Sequence, residues 1–243
     1  MNTFFTDARG TLLPEPNSKY GPLPPLLLAL TLVTGLVDAF SYLVLGHVFV
    51  ANMTGNVVFL GFALAGAPGF SIVASVVALA SFWSGAFIGG RVGSGLGEHK
   101  DRLLGTAGAI QGGFLAVSVV LAAITADAMS AGYRYPLIVV LGLAMGIQNA
   151  TARRLAVPDL TTTVLTLTIT GTAADSALAG GKGSVSGRRL IAVAAMLIGG
   201  LLGAALVIHV RIVLPLVIAL IVIVAVAATT FALGRSDPAW ARA

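Results

Sequence analysis

The sequence predicts an all-α membrane protein: six transmembrane helices plus two re-entrant half-helices, in an inverted 3+3 repeat. Three observations lead there. Of 243 residues, 57% are hydrophobic and 9% charged, against roughly 25% charged in a soluble domain. Six near-continuous apolar runs, 26–45, 70–90, 103–125, 136–152, 190–210 and 212–233, mostly reach the ~20 residues that cross a bilayer as a helix. The third observation is a polar interruption that occurs twice. Gly35-Leu36-Val37-Asp38-Ala39, followed by Asn52-Met53-Thr54-Gly55-Asn56, is echoed by Gly146-Ile147-Gln148-Asn149-Ala150, followed by Asp159-Leu160-Thr161-Thr162-Thr163. Paired breaks in two apolar halves point to a transport site.

Taken in order, residues 1–22 carry Asp7, Arg9, Glu15 and Lys19 without an apolar core. They read as a short, mobile cytoplasmic tail and not as a signal peptide. Pro24 and Pro25 open the first span. Within it Thr31, Thr34, Asp38 and Ser41 recur at three- and four-residue steps, one polar stripe on an apolar helix. An ionisable group at bilayer depth costs roughly 2.5–3.5 kcal/mol on insertion scales, so it faces a partner or a watery cavity. Asp38 thus either couples transport to protons or a cation, or locks helices together. The β-branched and aromatic residues of 46–51 suit an extended segment, after which Asn52 N-caps a half-helix over 53–65. The second span carries Gly85-x-x-x-Gly89, a close-packing motif.

The fourth span ends at Asn149, the uncharged counterpart of Asp38, and Pro158 stops what precedes the second half-helix. Asp159 is expected to N-cap that helix, starting near Leu160. A shift of 114 residues then lays Gly85 and Gly89 on Gly199 and Gly203. The repeat boundaries follow: tail 1–22, first membrane repeat 23–126, second membrane repeat 127–234 and a cytoplasmic C-terminal tail 235–243.

Lys and Arg concentrate in cytoplasmic loops, which discriminates between topologies. Eight spans split the fourteen of them eight to six. Six spans with two re-entrant segments leave only Arg134 and Arg211 outside. The six-span topology puts both termini in the cytoplasm, with Gly97 and Ser186 inside and Ala131 outside. Because each half has three spans, the second half enters from the opposite side.

Other function classes find little support. No cysteine is present, and His47, His99 and His209 are far apart, so no metal site or cofactor is expected. The sequence pI near 10.1 reflects topology signals, not nucleic-acid binding. Paired carboxylates and a nucleophile with its base are both missing, so an enzyme is not expected. The candidate substrate-binding residues are Asp38, Asn52, Thr54, Gly55, Asn56, Asn149, Asp159, Thr161, Thr162 and Thr163. Two half-helix N-termini would there present free N–H groups to a polar or anionic solute. Gln111 and Gln148 either reach this cavity or bond across helices. Arg153 and Arg154 mark the cytoplasmic boundary, and Trp83 and Trp240 serve as packing or interfacial anchors.

These motifs resemble those of the bacterial YoaK-like membrane proteins, a family of unknown function. The resemblance rests on Gly35-Leu-Val-Asp38-Ala39-Phe-Ser41-Tyr42-Leu, Phe49-Val-Ala-Asn52-Met53-Thr54-Gly55-Asn56 and Met145-Gly146-Ile-Gln148-Asn149-Ala150, with Thr161-Thr162-Thr163 and Gly171. It implies a multipass bacterial inner-membrane protein and no particular activity. The residues themselves favour a transporter or channel in the lipid bilayer, for a small polar or anionic solute, with proton coupling through Asp38. The alternative is a membrane sensor or assembly partner without transport. A homo-oligomer would use the glycine-rich helices.

Overall fold

The structure, a computed structural model, describes residues 2–15, 18–96, 98–125, 131–176, 179–181, 186–236 and 239–242. Gly97, Lys182 and the boundary between the two proposed repeats at 126–127 lie outside the described residues. What is described is helical, without strands. Six helices are long and apolar enough to span a membrane: α2 (Leu23–Val44), α4 (Ile72–Leu96), α5 (Lys100–Ile124), α6 (Ala131–Leu155), α8 (Ser186–His209) and α9 (Leu214–Gly234). Two apolar helices are short, α3 (Met53–Leu64) and α7 (Thr166–Ala174). Twelve and nine residues rise only about 18 and 14 Å, well short of a ~30 Å hydrocarbon core.

Two expectations need correction. The N-terminal segment is not a bare tail, because Asn2–Leu12 form helix α1, packed on α8. Asp7 accepts a hydrogen bond from the Arg188 backbone N–H (2.8 Å), and Arg188 Nε donates to Thr11 Oγ1 (3.3 Å). The carboxylate thereby satisfies one of the free amides at the start of α8. The second correction concerns α7, which begins at Thr166 instead of near Leu160. The linker before it, 156–165, is two residues longer than the corresponding 45–52.

Glycine decides which helices touch. α4 packs on α6, and α2 on α8. A Cβ on Gly85 would overlap the Leu143 carbonyl, and one on Gly199 would overlap the Leu32 carbonyl. Gly89 faces Ile147 and Ala150, while Gly203 faces Leu36 and Ala39. Gly146 lies on the Phe82 carbonyl and Ala86 N, and Gly35 on the Met196 carbonyl and Gly200 N. Each contact is reproduced by moving the first helix of a half by 111 residues and the third by 114. Backbones this close gain van der Waals contact that larger residues forbid. The remaining large interfaces are α5 on α9 and α5 on α6, with α2 on α9 as the counterpart of the latter.

The helix ends sort into two groups. At one end Trp240 covers Gly21 before α2, and Gly234 at the end of α9 meets Asp101 in the first turn of α5. Lys100 Nζ donates to the Arg242 carbonyl (2.9 Å), and the Arg154 stem lies along Gly93 near the end of α4. Asp7 meets the start of α8 here as well. At the opposite end Arg134, early in α6, covers Gly46 beyond α2, and His47 Nδ1 lies 3.0 Å from the Gly69 carbonyl oxygen, before α4.

Gly85→Ala and Gly199→Ala should each lower thermal stability by a similar amount, about 1–3 kcal/mol of overpacking. Gly61→Ala, which faces open space, should be neutral or slightly stabilising, because alanine is the better helix former. Melting of the purified variants in detergent compares the three. Unequal losses at 85 and 199 would mean that the two interfaces are not equivalent.

Candidate functional site

The site forms where α2 and α6 end and the chain runs into short helices. After α2 the backbone turns through Gly46 (φ +86°) and His47 (φ +57°) and runs on without helix to Asn52, bending at Val50 and Ala51. Its amides then lack helical partners. Asp38, one turn and a half from the end of α2, supplies them: its Oδ1 accepts from the N–H groups of Val50 (3.3 Å) and Ala51 (3.0 Å). Asn56, in the first turn of α3, reaches back to accept from the Phe49 N–H (2.9 Å) and to donate to the Phe49 carbonyl. Asn52 makes no capping hydrogen bond. The expected cap is therefore not made, and the side-chain bonds at this helix start are those of Asn56, whose amide satisfies a donor and an acceptor of Phe49 together. Stacking of Tyr42 on Phe49, with Phe59 and Phe70 beside them, fixes α3 against α2 and the start of α4.

At the second break the side chains bond mainly to one another. Asn149 donates to the Met145 carbonyl in its own helix and accepts from Thr163 Oγ1. Thr162 is buried with φ +66°, an outlier for a β-branched residue. Its hydroxyl accepts from Gln148 Nε2 (3.2 Å). Gln148 also donates to Thr34 Oγ1 (2.9 Å) and accepts from Gln111 Nε2 (2.7 Å). The two glutamines thus bond across helices, tying α2, α5, α6 and the linker together in a buried network. Asp159 is no N-cap. It sits in the left-handed region (φ +62°) and pairs with Arg189 (3.0 Å), whose guanidinium also meets Asp175 just beyond α7 (2.7 Å). The arginine pins both flanks of α7 to α8, a clamp at which only the adjacent Arg188-Arg189 pair hints in the sequence.

Two cavities flank these breaks. The first, about 610 Å³, lies between α2, α3, α7 and α8 and is lined by Asp38, Asn52, Thr54, Gly55 and Thr163, with Tyr42 and Phe49. The second, about 910 Å³, lies between α4, α6 and the two linkers and is lined by Asn52, Thr54, Asn149, Thr161 and Thr163, with Arg153 and Arg154. Asn52, Thr54, Thr163 and Val164 belong to both. Seven of the ten candidate residues therefore line one cavity or the other. Asn56, Thr162 and Asp159 line neither, because hydrogen bonds or an ion pair hold them elsewhere. Arg153, Arg154 and Tyr42 are among the wall residues outside those ten.

The family model described as "Protein of unknown function (DUF1275)" matches residues 26–229. The chain belongs to this family. It is also 35% identical, over 145 residues, to the UPF0700 transmembrane protein YoaK of Bacillus subtilis (strain 168). That match takes in 59% of this chain and 63% of YoaK, so it spans less than two thirds of the relative. No solved structure matches. The family match contains both breaks, both cavities and all six long helices in whole or large part, and it confirms a YoaK-like membrane protein.

The double duty of Asp38 gives a clear expectation. Asp38→Ala leaves two amides without an acceptor, at about 1–3 kcal/mol each, and should lower the melting temperature or prevent folding. Asp38→Asn keeps an oxygen acceptor and should remain close to wild type in size-exclusion profile and melting. If alanine and asparagine melt alike, Asp38 does not hold the 45–52 linker.

Proposed function

We propose that the protein is a transporter or channel of the bacterial cytoplasmic membrane, carrying a small polar or anionic solute through the two cavities. One observation carries this reading. Asn52, Thr54 and Thr163, from breaks more than a hundred residues apart, line both cavities at once. Polar side chains and irregular backbone at such depth are tolerated where they are buried in protein or border water.

The grouping of helix ends supports re-entrant segments. α2 ends and α4 begins at the Arg134 end, so α3 lies in a segment that departs from and returns to that end. α6 ends and α8 begins at the other, so α7 does the same there. The matched glycine contacts support an inverted repeat, since such an arrangement makes each half's first helix pack on the other half's third. Of the described Lys and Arg, Arg134 and Arg211 fall at one end, and Lys19, Lys100, Arg102, Arg153, Arg154, Arg188 and Arg235 among those at the other. That distribution supports cytoplasmic termini. Asp38, with one oxygen committed to the backbone and its side chain in the wall of the first cavity, is the group that would couple transport to protons. The rival reading, a sensor or assembly partner whose polar centre serves stability, draws on the hydrogen bonds that occupy Asn56 and Asn149.

Because the chain has no cysteine, single cysteines report without background. Thr54→Cys and Thr163→Cys should react with membrane-impermeant thiol reagents, whereas Leu197→Cys on the exposed face of α8 should not. Modification at 163 should also stop flux of any solute found in a proteoliposome screen. Unreactive cysteines at both 54 and 163 would leave the stability reading. In intact cells, a cysteine at Gly95 should be protected from external reagent and one at Arg211 should label. The reverse pattern would invert the topology.

A further inference from the structure

The two cavities occupy equivalent places but differ in their ionisable residues. Moving by 111 residues carries Asp38, Tyr42 and Leu43, in the first cavity, onto Asn149, Arg153 and Arg154, in the second. Moving by 114 carries Phe82, Ala86 and Gly90, on the far wall of the second, onto Met196, Gly200 and Ala204, on the far wall of the first. Against this matched background, among the described residues, the only ionisable side chain of the first cavity apart from the Tyr42 phenol is that of Asp38, and the only ones of the second are those of Arg153 and Arg154. No described carboxylate lies within 4.0 Å of either guanidinium, whereas Arg189 holds two aspartates. The side chains of Asn52 and Thr54, in the same wall, make no hydrogen bond with described residues and keep their donors uncommitted. Both arginines, exposed at the end of α6, border the 910 Å³ cavity.

Building on the transport reading above, we infer that the second cavity is the receiving site for a small oxyanion or carboxylate, held by Arg153 and Arg154 with Asn52 and Thr54 as neutral donors. The guanidinium fork matches such groups with two parallel N–H···O bonds. A cleft of one sign, bounded by low-dielectric helices, concentrates the opposite ion. The first cavity, with its single carboxyl and otherwise neutral wall, does not draw anions in. The solute therefore meets a basic chamber at the arginine end, then the neutral Asn52–Thr54–Thr163 junction, then an acidic one.

Charge-selective labelling tests this without knowing the solute. Thr161 lines only the second cavity, and Leu43 only the first. Purified Thr161→Cys and Leu43→Cys proteins would be reacted with methanethiosulfonates bearing either a sulfonate or a trimethylammonium group, with rates normalised to a free thiol. At position 161 the sulfonate reagent should react about tenfold faster, the low end of field-focusing effects. The preference should shrink in raised salt and vanish in Arg153→Gln/Arg154→Gln, and at position 43 it should be absent or reversed. Equal rates at 161 in the arginine-bearing protein would overturn the anion assignment while leaving a water-accessible pathway intact. No reaction with either reagent at 161, 54 and 163 would instead overturn the pathway itself, and the anion site with it. The ratio in the arginine-bearing protein decides the matter even if the double glutamine variant does not insert.

Discussion

A helix that stops inside a membrane protein leaves amides and carbonyls that the next turn no longer satisfies, and this constraint governs the structure. The chain meets it with side chains. Asp38 takes the Val50 and Ala51 amides, and Asn56 takes both polar groups of Phe49. In the other half Thr161 donates to the Val164 carbonyl, while Thr163 pairs with Asn149 and Thr162 with Gln148, side chain to side chain. Without the bonds from Asp38 and Asn56 the linker at 45–52 would carry unpaired polar groups costing several kcal/mol each in an apolar surround.

Close helix packing is the second requirement, and glycine meets it. Gly85 against Leu143 and Gly199 against Leu32 bring backbones into contact across α4–α6 and α2–α8. Hydrophobic burial gives little reason for helices to associate inside lipid, where tails are as apolar as leucine. Shape complementarity of small residues supplies it instead. Those glycines are occupied within the chain.

Within these matched contacts a few positions differ, and the proposed transport chemistry rests on them. Under the 111-residue shift Asp38 corresponds to Asn149, and Tyr42-Leu43 to Arg153-Arg154. A duplicated scaffold would fix where side chains point, while leaving each half free to change what they are. Function is then sought in the differences between the halves and not in their likeness.

The six long helices were legible from apolar length alone, since ~20 residues without charge have few other stable settings. The breaks were legible from Asp38, Asn52 and the threonines, and the packing faces from glycine spacing. What the sequence could not fix was the partner of each polar side chain. Asn52 and Asp159 have the right chemistry to cap a helix, yet Asn52 directly precedes α3 without making the capping bond, and Asp159 lies seven residues before α7 begins at Thr166. Asp159 pairs instead with Arg189, thirty residues away in the chain. Likewise only packing puts Arg153 and Arg154, exposed at the end of α6, at the edge of the second cavity. Residue type and spacing determine which segments are buried and which can bend. Which donor meets which acceptor depends on distances that exist only after the helices have packed, and so only the tertiary structure decided it.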